Sequence, residues 1–146
     1  MPIDFNKDDE PDLRSEQECF PDVDPGVQIL GDRVLVQLRR EKIASKGGIL
    51  LIDETRQTLR FNETVAKVRD IGPLAYKSPD NLEPWPEGNW CNVGDLVRTI
   101  KYGGDRFVVQ PDDDGAPVVF ITLQAREVIS KIKSFEYAQK MKAFVD

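Results

Sequence analysis

The sequence predicts an all-β protein, a small antiparallel β-barrel with a long polar loop, a second proline-rich loop and short terminal extensions. Three observations carry this. Short apolar runs alternate with period two, as strands with one buried face do. Tight turns rich in Gly, Pro and Asp separate them at short intervals. Helical spacing is clear only in the last dozen residues. At 146 residues the chain is long enough for one domain with a real core. Hydrophobic content of 40% and charged content of 32% belong to a globular protein.

The first strand is expected within Ile29–Leu38, with Val34, Val36 and Leu38 on one face and Leu35 and Gln37 on the other. A polar segment follows to about residue 62. Thr64–Ile71 is the second strand candidate, and Gly72-Pro73 ends it. Leu74–Asn92 holds Pro79, Pro84, Pro86 and Gly88 beside Trp85 and Trp90. Proline lacks a ladder donor, so this stretch is expected to be a surface excursion. Val93-Gly94-Asp95 turns into Leu96–Ile100, and Tyr102-Gly103-Gly104-Asp105 turns into Arg106–Gln110. Asp112-Asp113-Asp114-Gly115 closes a hairpin into Val118–Leu123. Ala125–Ile132 fits strand or helix. Phe135, Ala138, Met141 and Val145 then recur at helical spacing, giving a short amphipathic helix over 134–146.

The net charge of −6 is concentrated at one end. Residues 1–25 hold nine acids against Lys7 and Arg14, a net of −7, so the rest of the chain sums to +1. Residues 1–27 are therefore expected to form an acidic extension, flexible until bound, with a short helix near Asp12–Cys19. A nearly neutral body argues against nucleic acid as a partner. No apolar run has the length of a membrane span, and the N-terminus lacks the basic, apolar pattern of a secretion signal.

Cys19 and Cys91 are far apart and fit a reducing cytoplasm rather than a disulfide framework. The absence of histidine removes the commonest acid/base group and most zinc sites. Asp112-Asp113-Asp114 is a solvated turn before it is a metal site. Neither Gly47-Gly48 nor Gly103-Gly104 has the lysine and hydroxyl spacing of a phosphate loop. No catalytic residue, cofactor or metal is expected, and the chain is not expected to be an enzyme.

The polar segment at 40–62 carries one apolar island, Ile49, Leu50, Leu51 and Ile52, after Gly47-Gly48. By composition this is either a buried strand or a hydrophobic hook offered to a partner. Lys42, Lys46, Asp53, Glu54, Arg56 and Arg60 flank it and would need solvent.

Taken in order, these pieces resemble the GroES family of co-chaperonins. The quoted motifs are Ile29-Leu30-Gly31-Asp32-Arg33-Val34-Leu35-Val36, Gly47-Gly48-Ile49-Leu50-Leu51, Thr64–Val68, Val93-Gly94-Asp95, Tyr102-Gly103-Gly104 and Val128–Ile132. The resemblance covers about residues 28–133 and is similar to divergent members such as those encoded by bacteriophages. Residues 1–27 and 134–146 have no counterpart in it, and the loop at about 74–92 is longer than the family's roof hairpin.

The resemblance implies a mobile loop at about 40–62, with Gly47, Gly48, Ile49, Leu50, Leu51 and Ile52 as the chaperonin-binding segment. It implies a GroEL-type chaperonin as partner, a seven-membered homo-oligomeric ring, unfolded client proteins inside the cage, and a cytoplasmic location, that of the host for a phage-encoded member. Tyr102 would face the cavity, and Trp85 and Trp90 would belong to the roof. Burying each of Ile49, Leu50 and Leu51 is worth about 1.5–3 kcal/mol. Ordering a flexible loop costs about 1–2 kcal/mol per residue. One loop then binds weakly, and several on one ring bind together.

Two rivals are of another class. One is a GroES-like barrel reused as a phage structural or assembly protein, with the termini as linking arms. The other is a small-ligand barrel using the two tryptophans, which quenching of their fluorescence by a metabolite would support.

Overall fold

The computed structural model describes residues 12–41, 63–112 and 115–142. Among these residues six strands form one antiparallel sheet: β1 Arg33–Leu38, β2 Val65–Ile71, β3 Leu96–Thr99, β4 Asp105–Val109, β5 Val118–Gln124 and β6 Val128–Lys131. Among the described residues two short helices flank them, α1 Glu16–Cys19 and α2 Phe135–Lys140. The hydrogen-bonded order is β4-β5-β1-β2-β3-β6. β5 and β6 are four places apart in that order, yet a single 3-10 turn, Ala125–Glu127, joins them. So short a connection requires the sheet to curl until its far sides approach, which gives the barrel. Among the described residues no helix is long and apolar enough to cross a membrane.

β1 is central, paired with both β5 and β2, and five of its six residues are buried. Val34, Val36 and Leu38 point into the main core with Ala66, Val68, Val97, Ile121, Leu123 and Val128. Leu35, on the opposite face, packs with Ile29, Val118 and Phe120. The alternation expected of β1 is thus present, but both of its faces are covered. Phe107 stacks on Phe120 at 5.5 Å on that second face.

The β1–β2 register shifts between Leu35 and Val36, whose partners are Asp70 and Val68. Arg69 is the extra residue of this bulge. Its Nε donates to Gln37 Oε1 (2.6 Å), and its Nη2 donates to the carbonyls of Phe20 (3.2 Å) and Pro21 (3.0 Å). Gln37 Nε2 donates to the Pro21 carbonyl as well. A buried Gln and a partly buried Arg are satisfied by backbone carbonyls of the N-terminal segment.

Residues 12–27 therefore differ from the flexible extension expected of them. Cys19 and Phe20 are both 1% exposed and pack with Val65, Leu96, Ile132 and Ala138. Ser15 starts α1 with a capping box: the Glu18 amide donates to Ser15 Oγ, and the Ser15 amide donates back to the Glu18 carboxylate. Burying two apolar side chains and supplying acceptors to Arg69 and Gln37 offsets the cost of ordering this segment. Of the acidic side chains in this segment, Glu18, Asp22 and Asp24 stay exposed, whereas Asp12 is buried beside Arg14.

The ambiguous Ala125–Ile132 stretch resolves into the 3-10 turn followed by β6. The C-terminal helix is shorter than its periodicity suggests, but Phe135, Ala138 and Met141 do face the core. Gly72 sits where an added Cβ would lie 2.3 Å from the Gly31 carbonyl oxygen, so the turn after β2 has room only for glycine.

Candidate functional site

β1 and β2 are the strands that flank the 42–62 segment. Gly47, Gly48, Ile49, Leu50, Leu51 and Ile52 lie outside the described residues; the root of their segment lies inside. The β1–β2 ladder ends at Leu38–Ala66, and the Arg39 amide then donates to the Val65 carbonyl (2.9 Å). Beyond that point side chains take over. The Arg39 guanidinium forms a two-pronged ion pair with the Glu63 carboxylate through Nε and Nη2. Its Nη1 donates to the Ala138 carbonyl and its Nη2 to the Met141 carbonyl, each at 2.7 Å. These are carbonyls at the C-terminal end of α2, where a cation is favoured. Burial pushes the Glu63 carboxyl above the usual carboxylate range, and Arg39 only partly opposes this.

Next along the chain, the Arg40 amide donates to the Cys19 carbonyl (2.8 Å), and Arg40 Nε donates to the Ala116 carbonyl (2.8 Å). Arg14 pairs with Asp12 at 2.7 Å and extends Nη1 to 3.5 Å from the Glu41 carbonyl. On the other side of the root, the Thr99 amide donates to the Thr64 carbonyl (3.0 Å). The root is thus heavily hydrogen-bonded.

The 74–92 excursion is built on Tyr76. Its hydroxyl donates to the Ala125 carbonyl (3.0 Å) and lies 3.4 Å from Cys91 Sγ. Trp85 meets the Tyr76 ring edge-on at 5.4 Å, Trp90 lies 5.6 Å from it, and the two indoles are 5.1 Å apart. Both tryptophans are half-buried against the main core. Burial raises the Tyr76 hydroxyl and the Cys91 thiol above their ordinary values. The outer part is a small hairpin closed by a Lys77–Pro84 bridge, with exposed residues between.

Tyr102 is outside this aromatic cluster. It is 72% exposed on the β3–β4 turn, with Lys101 Nζ 5.5 Å from its ring centroid. Gly103 and Gly104 follow at φ +138° and +73°, and a Cβ on Gly104 would lie 2.7 Å from the Thr122 carbonyl oxygen. The glycines hold the turn close to β5 and leave the tyrosine outside. Asp95 closes the preceding turn by accepting from the Asn92 amide (2.8 Å).

Sequence reasoning missed Arg39, Glu63 and Tyr76. Arg39 and Glu63 bracket the polar segment with opposite charges, which is a usable signal; Tyr76 has none.

The chain matches the family Chaperonin 10 Kd subunit over residues 26–132. It belongs to that family. Among its relatives, the co-chaperonin GroES of Chlamydia pneumoniae is 26% identical over 107 residues, which cover 73% of this chain and 91% of the relative. The co-chaperonins GroES of Chlamydia muridarum and Chlamydia caviae are 29% and 28% identical over the same length. Identity at this level marks a divergent chaperonin-10 member. The matched stretch contains all six strands and the 42–62 segment, and omits α1 and α2.

Proposed function

We propose that this chain is a co-chaperonin that caps a GroEL-type chaperonin. Residues Gly47–Ile52 are the contact, with Ile49, Leu50 and Leu51 as the apolar hook and Gly47-Gly48 as its swivel. The protomers close into a ring of seven, the ring encloses folding clients in the cytoplasm, and ATP chemistry belongs to the partner. Membership of the chaperonin-10 family is the observation that carries this reading.

Two features of the barrel support it. The hook's segment joins neighbouring strands β1 and β2 at a heavily hydrogen-bonded root, a suitable base for a partner-directed segment. The sheet ends in strands β4 and β6, which carry the exposed Val108 (57%) and Ile129 (62%) and offer edges to neighbouring copies. Tyr102 and the exposed hairpin between Lys77 and Pro84 are assigned to the cavity and roof, with Trp85 and Trp90 fixing that hairpin to the barrel.

The hook is tested by the double variant Ile49→Ser, Leu50→Ser. Chaperonin binding should be lost while the barrel's unfolding transition stays in place. Unchanged affinity would refute the assignment.

A further inference from the structure

The matched family region stops at residues 26 and 132, and the 107 residues aligned with the Chlamydia pneumoniae relative cover 91% of it. That relative has little chain left from which to build extensions. Here both extensions converge on one place. The Asp12 amide donates to the Gln139 carbonyl (2.8 Å), which ties the N-terminal segment to α2. Each then grips the root of the 42–62 segment. α2 does so through its Ala138 carbonyl, with the adjoining Met141 carbonyl, on Arg39. The N-terminal segment does so through the Cys19 carbonyl on the Arg40 amide. Asp12, Cys19, Glu63 and Ala138 are all buried.

We propose that the two extensions form a clasp that fixes the root of the 42–62 segment, with Asp12, Arg14 and Arg39 as positioning residues for docking on the chaperonin. This rests on the hook assignment above. The physical reason is that the backbone ladder between β1 and β2 ends at Leu38–Ala66, one residue short of Arg39. Without the clasp, Arg39 loses the Ala138 and Met141 carbonyls, the Arg40 amide loses the Cys19 carbonyl and the Glu41 carbonyl loses Arg14, so the root is held only by its contacts to the barrel. The hook would then start from a loose base, and more chain would have to be ordered on binding. One additional residue to order weakens each loop roughly tenfold.

Cys19 and Cys91 make the test internal. Cys19 lies in the clasp, 3.8 Å from Asp12 Oδ2, and burial pushes its thiol up to about 11. Cys91 is buried beneath Tyr76, away from the clasp residues in sequence. In the full-length Asp12→Ala, Arg14→Ala variant, maleimide labelling of Cys19 should accelerate about tenfold or more, with Cys91 unchanged. Amide exchange at Arg39 and Arg40 should accelerate with it, and the affinity for GroEL-type chaperonin with nucleotide should fall. The milder Arg14→Gln should do the same to a smaller extent, and Arg14→Lys should restore part of the affinity.

If the double variant also exposes Cys91, it has unfolded, and Arg14→Gln decides the matter. Unchanged exchange at Arg39 and Arg40 despite a reactive Cys19 would overturn the clasp. So would faster exchange with unchanged affinity. If the unaltered protein does not bind chaperonin at all, the hook assignment and the docking role fall together, while exchange still judges whether the extensions hold the root.

Discussion

Phe20→Ala is a direct probe of how the acidic N-terminal segment relates to the barrel. Phe20 is 1% exposed, and its neighbours come from β2, β3, the residue after β6 and α2: Val65, Leu96, Ile132 and Ala138. Truncating a buried Phe to Ala costs about 3–5 kcal/mol when the walls cannot collapse. Here the walls on one side are sheet, which resists collapse, and on the other a six-residue helix, which can shift inward. The lower part of the range, about 3 kcal/mol, is therefore expected. For a chain of this length that lowers the melting temperature by about 6–12 °C. The assay is urea unfolding at one fixed protomer concentration, because assembly would make apparent stability depend on concentration. A loss below about 0.5 kcal/mol, the size of an ordinary surface change, would refute the docking of Phe20.

Other perturbations test other parts of the structure. Glu63 has its carboxyl raised by burial, so the folded state holds its proton to higher pH than the unfolded state does. Its contribution to stability is therefore greatest below the ordinary Glu range and declines as pH rises toward the raised value. The stability of Glu63→Gln relative to the unaltered protein should rise over that window; a flat difference between pH 4 and 8 would contradict the burial. Gly72→Ala places a Cβ 2.3 Å from the Gly31 carbonyl oxygen and should cost about 1–3 kcal/mol in chemical denaturation, whereas a neutral result would mean the turn can relax. Replacing Ser78–Glu83, the hairpin outside the Lys77–Pro84 bridge, with Gly-Gly should leave tryptophan fluorescence and chaperonin binding intact while changing which clients fold. No change in client range would remove that hairpin from the roof.

The strands were legible because their apolar residues alternate and their turns carry glycine where backbone crowding demands it. Val34, Val36 and Leu38 share one buried face as their spacing implies, and Gly72 and Gly104 occupy turns with no room for a side chain. The docking of residues 12–27 was hidden. Its fully buried apolar side chains are only Cys19 and Phe20, in an acidic context, and its polar anchors, Gln37 and Arg69, act through a bulge that sequence does not announce. The tryptophan-bearing stretch showed itself as an excursion through its prolines. That Trp85 and Trp90 gather on Tyr76 depends on a contact between that stretch and the Ala125 carbonyl, which no local pattern encodes. The ion pair of Arg39 with Glu63 joins residues on either side of a loop, and pairing across such a distance follows from strand register.

Everything proposed for this chaperonin-10 chain turns on whether it caps a chaperonin. Mixing the pure, full-length protein with a GroEL-type chaperonin and nucleotide, then imaging single particles, tests it most directly. The expected result is rings of seven protomers seated on the chaperonin's ends, dependent on Ile49 and Leu50. Bare chaperonin ends beside a free monomer of this chain would contradict it.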